Sequence, residues 1–108
     1  MSSYLLVGSR DPFASRDADF VFDLAVQLKE AGNEVTLFLL ENGVLAARAG
    51  AEVPALDEAI AAGVTVKAED FALRERGIGA DRVRANVTAA PLDLVIDGLA
   101  AGHKTIWS

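Results

Sequence analysis

The chain has 108 residues and no cysteine, and its 16 acidic and 10 basic residues give a net charge of −6. This length suits a single domain, residues 1–108, with a core of its own. The acidic balance disfavours non-specific nucleic-acid binding, which needs a basic surface. The lack of cysteine excludes disulfides, thiolate metal ligands and thiol catalysis by this chain itself.

Apolar runs in the sequence are all short. None approaches the length that crosses a bilayer. The run at residues 4–7 is too short for a signal peptide and follows no basic leader. We therefore expect a cytoplasmic protein with neither a nucleic acid nor a membrane as its partner.

The first part of the chain has the pattern strand, helix, strand. Residues 4–7 and 35–40 are apolar on both faces, as in buried parallel strands. Between them, residues 19–31 have helical periodicity and stop at Gly32-Asn33. The predicted apolar stripe of this helix consists of Phe20, Val21, Leu24, Ala25 and Leu28. This pattern predicts a βαβ unit with parallel strands and a right-handed crossover.

The start of that helix has more than one candidate cap. Asp11 could cap it with Pro12 in the first helical position, or Ser15 or Asp17 could cap a later start. The pattern does not choose between these starts.

The middle of the chain alternates short helices with a third strand. Residues 44–51 and 55–62 are Ala-rich and predict two short helices, separated by Val53-Pro54. Residues 64–66 predict a short buried strand, and the chain then passes through Ala68 into a helical turn that ends near Gly77.

The last part of the chain is less regular. Within residues 79–90, the segment 80–84 fits either a helical turn or a loop. Residues 91–101 predict a helix with Pro91 in its first turn. Its expected core-facing stripe consists of Leu92, Val95, Ile96 and Leu99. Residues 103–107 alternate enough to predict an edge strand.

Together these elements predict a small, doubly wound α/β domain with a mainly parallel sheet of four to five strands flanked by helices. The sequence contains no internal repeat and no linker. Because a sheet this small has exposed edges and faces to cover, we expect an oligomer.

Two acids follow the third predicted strand. Glu69 and Asp70 lie at a strand-to-helix junction, and ligands of open α/β sheets collect beyond the carboxyl ends of strands. In one interpretation they form a carboxylate cleft and act as base or metal ligand. In the other they satisfy the first N–H groups of a helix and its dipole.

A second polar segment, Glu41-Asn42-Gly43, follows the second predicted strand. It could approach the same cleft as Glu69. It could equally be an ordinary turn, in which Asn-Gly tolerates positive φ.

Half of the basic residues lie between positions 67 and 84. They are Lys67, Arg74, Arg76, Arg82 and Arg84. They could bind an anion, an acidic partner or another subunit. They could also form a solvated face, since four acids in the same segment (Glu69, Asp70, Glu75 and Asp81) leave a net charge of only +1.

Other polar residues are weaker candidates. The segment Gly8-Ser9-Arg10-Asp11 could offer N–H groups to an anion, but it lacks the glycines of a phosphate loop. His103 is the sole histidine, and no ligand spacing or catalytic triad includes it. Trp107 suits packing or an interface. No cofactor is predicted.

Four segments carry a resemblance to a known family through their order and spacing. They are residues 4–7, 32–44 (GNEVTLFLLENGV), 63–78 (GVTVKAEDFALRERGI) and 103–108 (HKTIWS). In these segments the chain resembles the DsrE/DsrF-like family of Tus-type sulfur relay proteins. The resemblance implies a flavodoxin-like subunit that assembles into trimers or hexamers. It also implies a site after the third strand, where some members carry sulfur as a persulfide on a cysteine.

At that family position this chain has Glu69, and the place of a second cysteine found in some members falls near Ala72. Arg76-Gly77-Ile78 resembles the Arg-Gly-hydrophobic ending of the family motif. The scaffold of the family is therefore expected here without its sulfur-carrying atom.

Three hypotheses on function follow. The first is a cysteine-less, non-catalytic oligomeric binding or scaffold component related to intracellular sulfur relay, with a sulfur-relay protein as a further partner. The second is a small-ligand binder or enzyme with a carboxylate cleft of Glu69, Asp70 and Glu41, with Arg76 nearby. The third is an interaction module that uses the basic residues to bind an acidic partner.

Overall fold

Five parallel strands form one sheet in the computed structural model, which describes residues 1–108. The strands are β1 (Ser3–Gly8), β2 (Glu34–Leu39), β3 (Thr65–Glu69), β4 (Val87–Ala90) and β5 (Lys104–Trp107). The helices are α1 (Asp17–Glu30), α2 (Pro54–Ala61), α3 (Asp70–Glu75) and α4 (Asp93–Ala100), with 3₁₀ helices at Glu41–Ala47 and Ala80–Arg82. The predicted α/β fold is confirmed.

The strand order, β4-β3-β2-β1-β5, decides which face each helix covers. The connections from β1 through β4 each move one strand in the same direction. Right-handed crossovers therefore place α1, α2 and α3 on one face, which we call the first face. The last connection crosses back from β4 to β5 beside β1, so α4 lies on the opposite, second face.

The two faces bury cores of different size. The core of the first face contains 20 buried residues, including Phe22 of α1 and Leu56 of α2. The core of the second face contains six: Leu5, Val7, Phe38, Leu40, Ala90 and Val95. Because side chains alternate along a strand, neighbouring residues of β1 and β2 enter different cores.

Polar residues occupy several second-face positions of the strands. Lys67 is the register partner of Phe38 in the second-face core, so it points to the same side. Thr36 precedes Phe38 by two residues and also lies on this side. The eight residues of α4 leave this part of the face half-exposed.

Helix α1 begins at Asp17, two residues before the predicted start. The Ser15 hydroxyl accepts a hydrogen bond from the Asp17 N–H at 3.2 Å. The side chains buried in α1 are those of Ala18, Val21, Phe22 and Ala25. Placing Phe20 in the stripe was wrong, because Phe20 lies off this arc and is 61% exposed.

The predicted stripe of α4 is confirmed only at Val95, which is buried together with Gly98. Placing Leu92, Ile96 and Leu99 in the core was wrong. The exposed residues Leu92, Ile96 and Leu99 form what we call the α4 stripe; Ile96 is 64% exposed. The physical reason is the close approach at Gly98, where a Cβ atom would lie only 3.2 Å from Leu5 Cδ2.

Other boundaries differ from the sequence prediction. The segment 80–84, predicted as a helical turn or a loop, contains the 3₁₀ turn Ala80–Arg82, and the strand β4 that follows it was not predicted. The third strand is longer than predicted and ends at Glu69. The helix predicted at 44–51 is the 3₁₀ helix Glu41–Ala47. The last strand, β5, is an edge strand as predicted, and it pairs with β1. No helix combines the length and apolarity needed to span a bilayer.

Candidate functional site

Glu69 ends β3 and caps α3. Its Oε2 accepts a hydrogen bond from the Phe71 N–H, and its Oε1 accepts one from the Ala72 N–H, both at 3.1 Å. The residue has extended backbone geometry, as a helix N-cap requires, and is only 9% exposed. Both carboxylate oxygens are therefore engaged by the helix that follows. Asp70 is the first helical residue and is half-buried.

Arg76 connects α3 to the segment after β2. Its Nε donates to Asn42 Oδ1 at 3.0 Å, and its Nη1 donates to the Ala72 carbonyl at 3.2 Å. Nη1 also lies 3.9 Å from Glu75 Oε1. The structure thus brings together two predicted site residues, Asn42 and Arg76, beside the helix that Glu69 caps.

The segment Glu41-Asn42-Gly43 also approaches the end of β1. The Leu40 N–H donates to the Gly8 carbonyl at 2.9 Å. A Cβ atom at Gly43 would lie 2.2 Å from the same carbonyl oxygen, so only glycine allows this contact. Glu41 has a positive φ of 49°, and its side chain is exposed. The carboxyl ends of β1, β2 and β3 therefore meet here.

The arrangement at these strand ends is a hydrogen-bonded surface. No cluster of three or more His, Cys, Asp or Glu side chains suitable for a metal occurs in the chain. The cavities of about 470 Å³ and 200 Å³ are lined by other residues.

The basic residues between positions 67 and 84 do not form one patch. Arg84 pairs with Asp57 of α2 and donates from Nε to Asn86 Oδ1, and its side chain is 18% exposed. Arg76 lies at the carboxyl edge, whereas Lys67 lies on the second face. The structure therefore divides the set into residues with different surroundings.

Sequence reasoning missed a cavity of about 470 Å³ between α4 and the second face of the sheet. Its polar lining comes from Thr36, Lys67, Asp97 and His103. The available signals were polar residues inside otherwise apolar strands and the glycine within α4. Neither indicates a cavity until the strand order shows that one helix covers this face.

No protein-family model matches the chain. No curated protein matches it either. Among solved structures it is similar to the ychN protein from E. coli, with a TM-score of 0.88, 21% identity and 100% of both chains covered.

Two further solved structures have a similar fold. A protein of unknown function, MTH1491 from Methanobacterium thermoautotrophicum, has a TM-score of 0.80 and 16% identity, with 100% of both chains covered. A conserved protein of unknown function, BT1422 from Bacteroides thetaiotaomicron, has a TM-score of 0.80 and 17% identity; 99% of this chain and 95% of that chain are covered. At these identities the likeness concerns the fold.

Proposed function

We propose that this chain is a non-catalytic, oligomeric binding or scaffold component related to intracellular sulfur relay, of the DsrE-like kind. The observation that carries the proposal is the state of Glu69. By the resemblance, Glu69 stands where some members of the DsrE/DsrF-like family carry a cysteine, and both of its oxygens cap α3. The chain has no thiol elsewhere to receive sulfur.

The alternative of carboxylate chemistry around Glu69 has less support. A general base must lie within hydrogen-bond reach of its substrate. Glu69 is only 9% exposed and its oxygens face the first N–H groups of α3, while Arg76 is held by Asn42 and the Ala72 carbonyl. In the proposed role, the surface of α3 and the Glu41–Gly43 segment contacts a sulfur-relay protein.

Self-association, as a trimer or hexamer, is the second part of the proposal. Its support is the α4 stripe, three large apolar side chains on one flank of a helix with no partner in the monomer. Homodimer interfaces are more apolar than the rest of the protein surface, so an exposed apolar stripe of this kind suits such an interface.

Sulfur transfer is tested with a small-molecule persulfide donor and intact-mass measurement. We expect the native chain to gain no sulfur. In Glu69→Cys, the new thiolate should attack the donor's terminal sulfur and become a persulfide, while the donor leaves as a thiol, so the mass rises by one sulfur atom. Asp70→Cys is the matched control for an adjacent thiol. Stable covalent sulfur on the native chain would contradict the proposal.

Self-association is tested by light scattering, given a monomer of 11.3 kDa. The native chain should have a mass of at least three subunits, and Ile96→Glu should reduce it to the monomer. Phe20→Glu, on an exposed position of the first-face helix α1, should keep the native mass. A monomeric native chain would contradict this part of the proposal.

A further inference from the structure

The cavity between α4 and the second face of the sheet is open to solvent, with Asp97 and His103 exposed at its mouth, and it has the size and composition of a small-molecule site. Its volume of about 470 Å³ lies in the usual range for ligand pockets, roughly 300 to 1,000 Å³. Its walls combine apolar groups, including Leu5, Pro91 and Leu94, with a few polar side chains. Apolar walls with a few placed polar groups are typical of such sites.

The polar groups of this cavity have no partners within the chain. The three ion pairs of the molecule do not include Lys67 or Asp97. None of the side-chain hydrogen bonds involves Lys67, Asp97, Thr36 or the His103 imidazole. An ammonium and a carboxylate thus line one cavity without pairing with each other.

Helix α4 comes close to the sheet at the floor of this cavity. A Cβ atom at Gly98 would lie 3.3 Å from His103 Nδ1 and 3.2 Å from Leu5 Cδ2. Glycine is an unfavourable residue inside a helix. Its presence here allows His103 and Leu5 to contact the helix and shapes the cavity wall.

We propose that this cavity binds a small zwitterion with an apolar side chain, the chemistry of an apolar amino acid. The ligand carboxylate pairs with Lys67, its ammonium group pairs with Asp97, and its side chain contacts the apolar wall. A neutral zwitterion fits the one cation and one anion of the lining. It also avoids the repulsion that a net charge of −6 imposes on a simple anion.

The cavity and the α4 stripe are on different flanks of the helix. At about 3.6 residues per turn, Leu94, Asp97 and Ala101 fall on one flank and the α4 stripe on roughly the opposite one. This inference therefore goes beyond the proposed function and does not depend on it, because association through the stripe leaves the cavity flank free.

Binding is measured by calorimetry with three probes: L-leucine, 4-methylpentanoate, which lacks the ammonium group, and 3-methylbutylamine, which lacks the carboxylate. L-leucine should bind at least about tenfold more tightly than either fragment, since each charged hydrogen bond contributes on that scale. Equal affinity for leucine and 4-methylpentanoate would overturn the zwitterion assignment. Absence of binding by all three would overturn the site.

Variants assign each charge to its partner. Lys67→Met should weaken leucine binding about tenfold and leave the amine unaffected, whereas Asp97→Asn should weaken leucine to a similar extent and leave the carboxylate unaffected. Lys104→Met and Asp93→Asn, which remove charges outside the cavity, should bind leucine like the native chain. Native affinity in both cavity variants would overturn the proposal.

A second measurement needs no variant. His103 is the only histidine and lines the cavity, so its imidazole proton signals report occupancy directly. Titration with L-leucine should shift these signals with the affinity found by calorimetry. Signals that stay unchanged while leucine binds would place the ligand elsewhere and overturn the assignment.

Discussion

The face of the sheet under α1 and α2 and the face under α4 use the same strands but bury different amounts of apolar surface. The first face has a core of 20 buried residues and the second a core of six. On β2, Leu37 points to the first face while Thr36 points to the second. Stability is therefore concentrated on the first face, and unpaired polar groups and open volume lie on the second.

The strongest test of this comparison removes one phenylalanine from each face. Phe22→Ala should cost about 4 kcal/mol of unfolding free energy, because the well-packed first face cannot close the space. Phe38→Ala should cost about 1 kcal/mol less, since the six-residue core of the second face is smaller and can collapse more easily around the lost ring. Both are measured by urea unfolding.

Phe20→Ala is the control for the helix itself, because Phe20 is exposed on the same α1 as Phe22. It should change the free energy of unfolding by less than about 0.5 kcal/mol. An equal or larger loss at Phe38 than at Phe22 would break the comparison.

A smaller loss of unfolding free energy is expected where the 3₁₀ helix Glu41–Ala47 contacts the end of β1. Gly43→Ala should cost about 2 kcal/mol, because the new methyl group meets the Gly8 carbonyl, a backbone atom that cannot rotate away. Gly79→Ala is the matched control, since its methyl group meets only the flexible Asp81 side chain. Equal thermal stability of the two variants would contradict the contact.

Removing the cap of α3 should lower the free energy of unfolding by about 1 kcal/mol. Glu69→Ala removes acceptors for the Phe71 and Ala72 N–H groups, and loss of an N-cap typically costs this much. Asp70→Ala, which makes no such bond, should cost less. Chemical unfolding of both variants separates a capping role from a general effect of charge; a Glu69→Ala variant as stable as the native chain would refute the cap.

The smallest change in unfolding free energy is expected for a substitution on the second face. Lys67→Met should change the free energy of unfolding by less than about 0.5 kcal/mol, because the ammonium group forms no ion pair that would be lost. Arg84→Met should cost more, since it leaves Asp57 unpaired and removes a largely buried guanidinium. A larger loss at Lys67 than at Arg84 would show that the lysine stabilises the fold.

Local patterns predicted much of the first face. The apolar runs of β1 and β2 and the periodic segment of α1 indicated a βαβ unit, because burial on both sides leaves a clear signal in sequence. Strand β4 was missed, since Val87–Ala90 is four residues long and half alanine. Nothing in so short a segment separates a strand from a loop before β3 is available to pair with it.

The second face and the site depended on tertiary contacts that the sequence does not show. The apolar residues of α4 suggested a core stripe, but the close approach at Gly98 turned Leu92, Ile96 and Leu99 outwards. For Glu69, the sequence allowed a base or a helix cap, and the position of the α3 amides engages both oxygens. The proximity of Asn42 and Arg76 followed from the predicted parallel strands.

The pairing of β5 with β1 has a consequence for the order of folding. Tyr4 and Lys104 are register partners, although they lie near opposite ends of the chain. During synthesis, β1 can pair with β2 early but keeps an open edge until the last strand is made. Contacts between residues far apart in sequence, such as those of β1 with β5, form slowly. The open edge of β1 is therefore most exposed to pairing with other chains just before β5 joins.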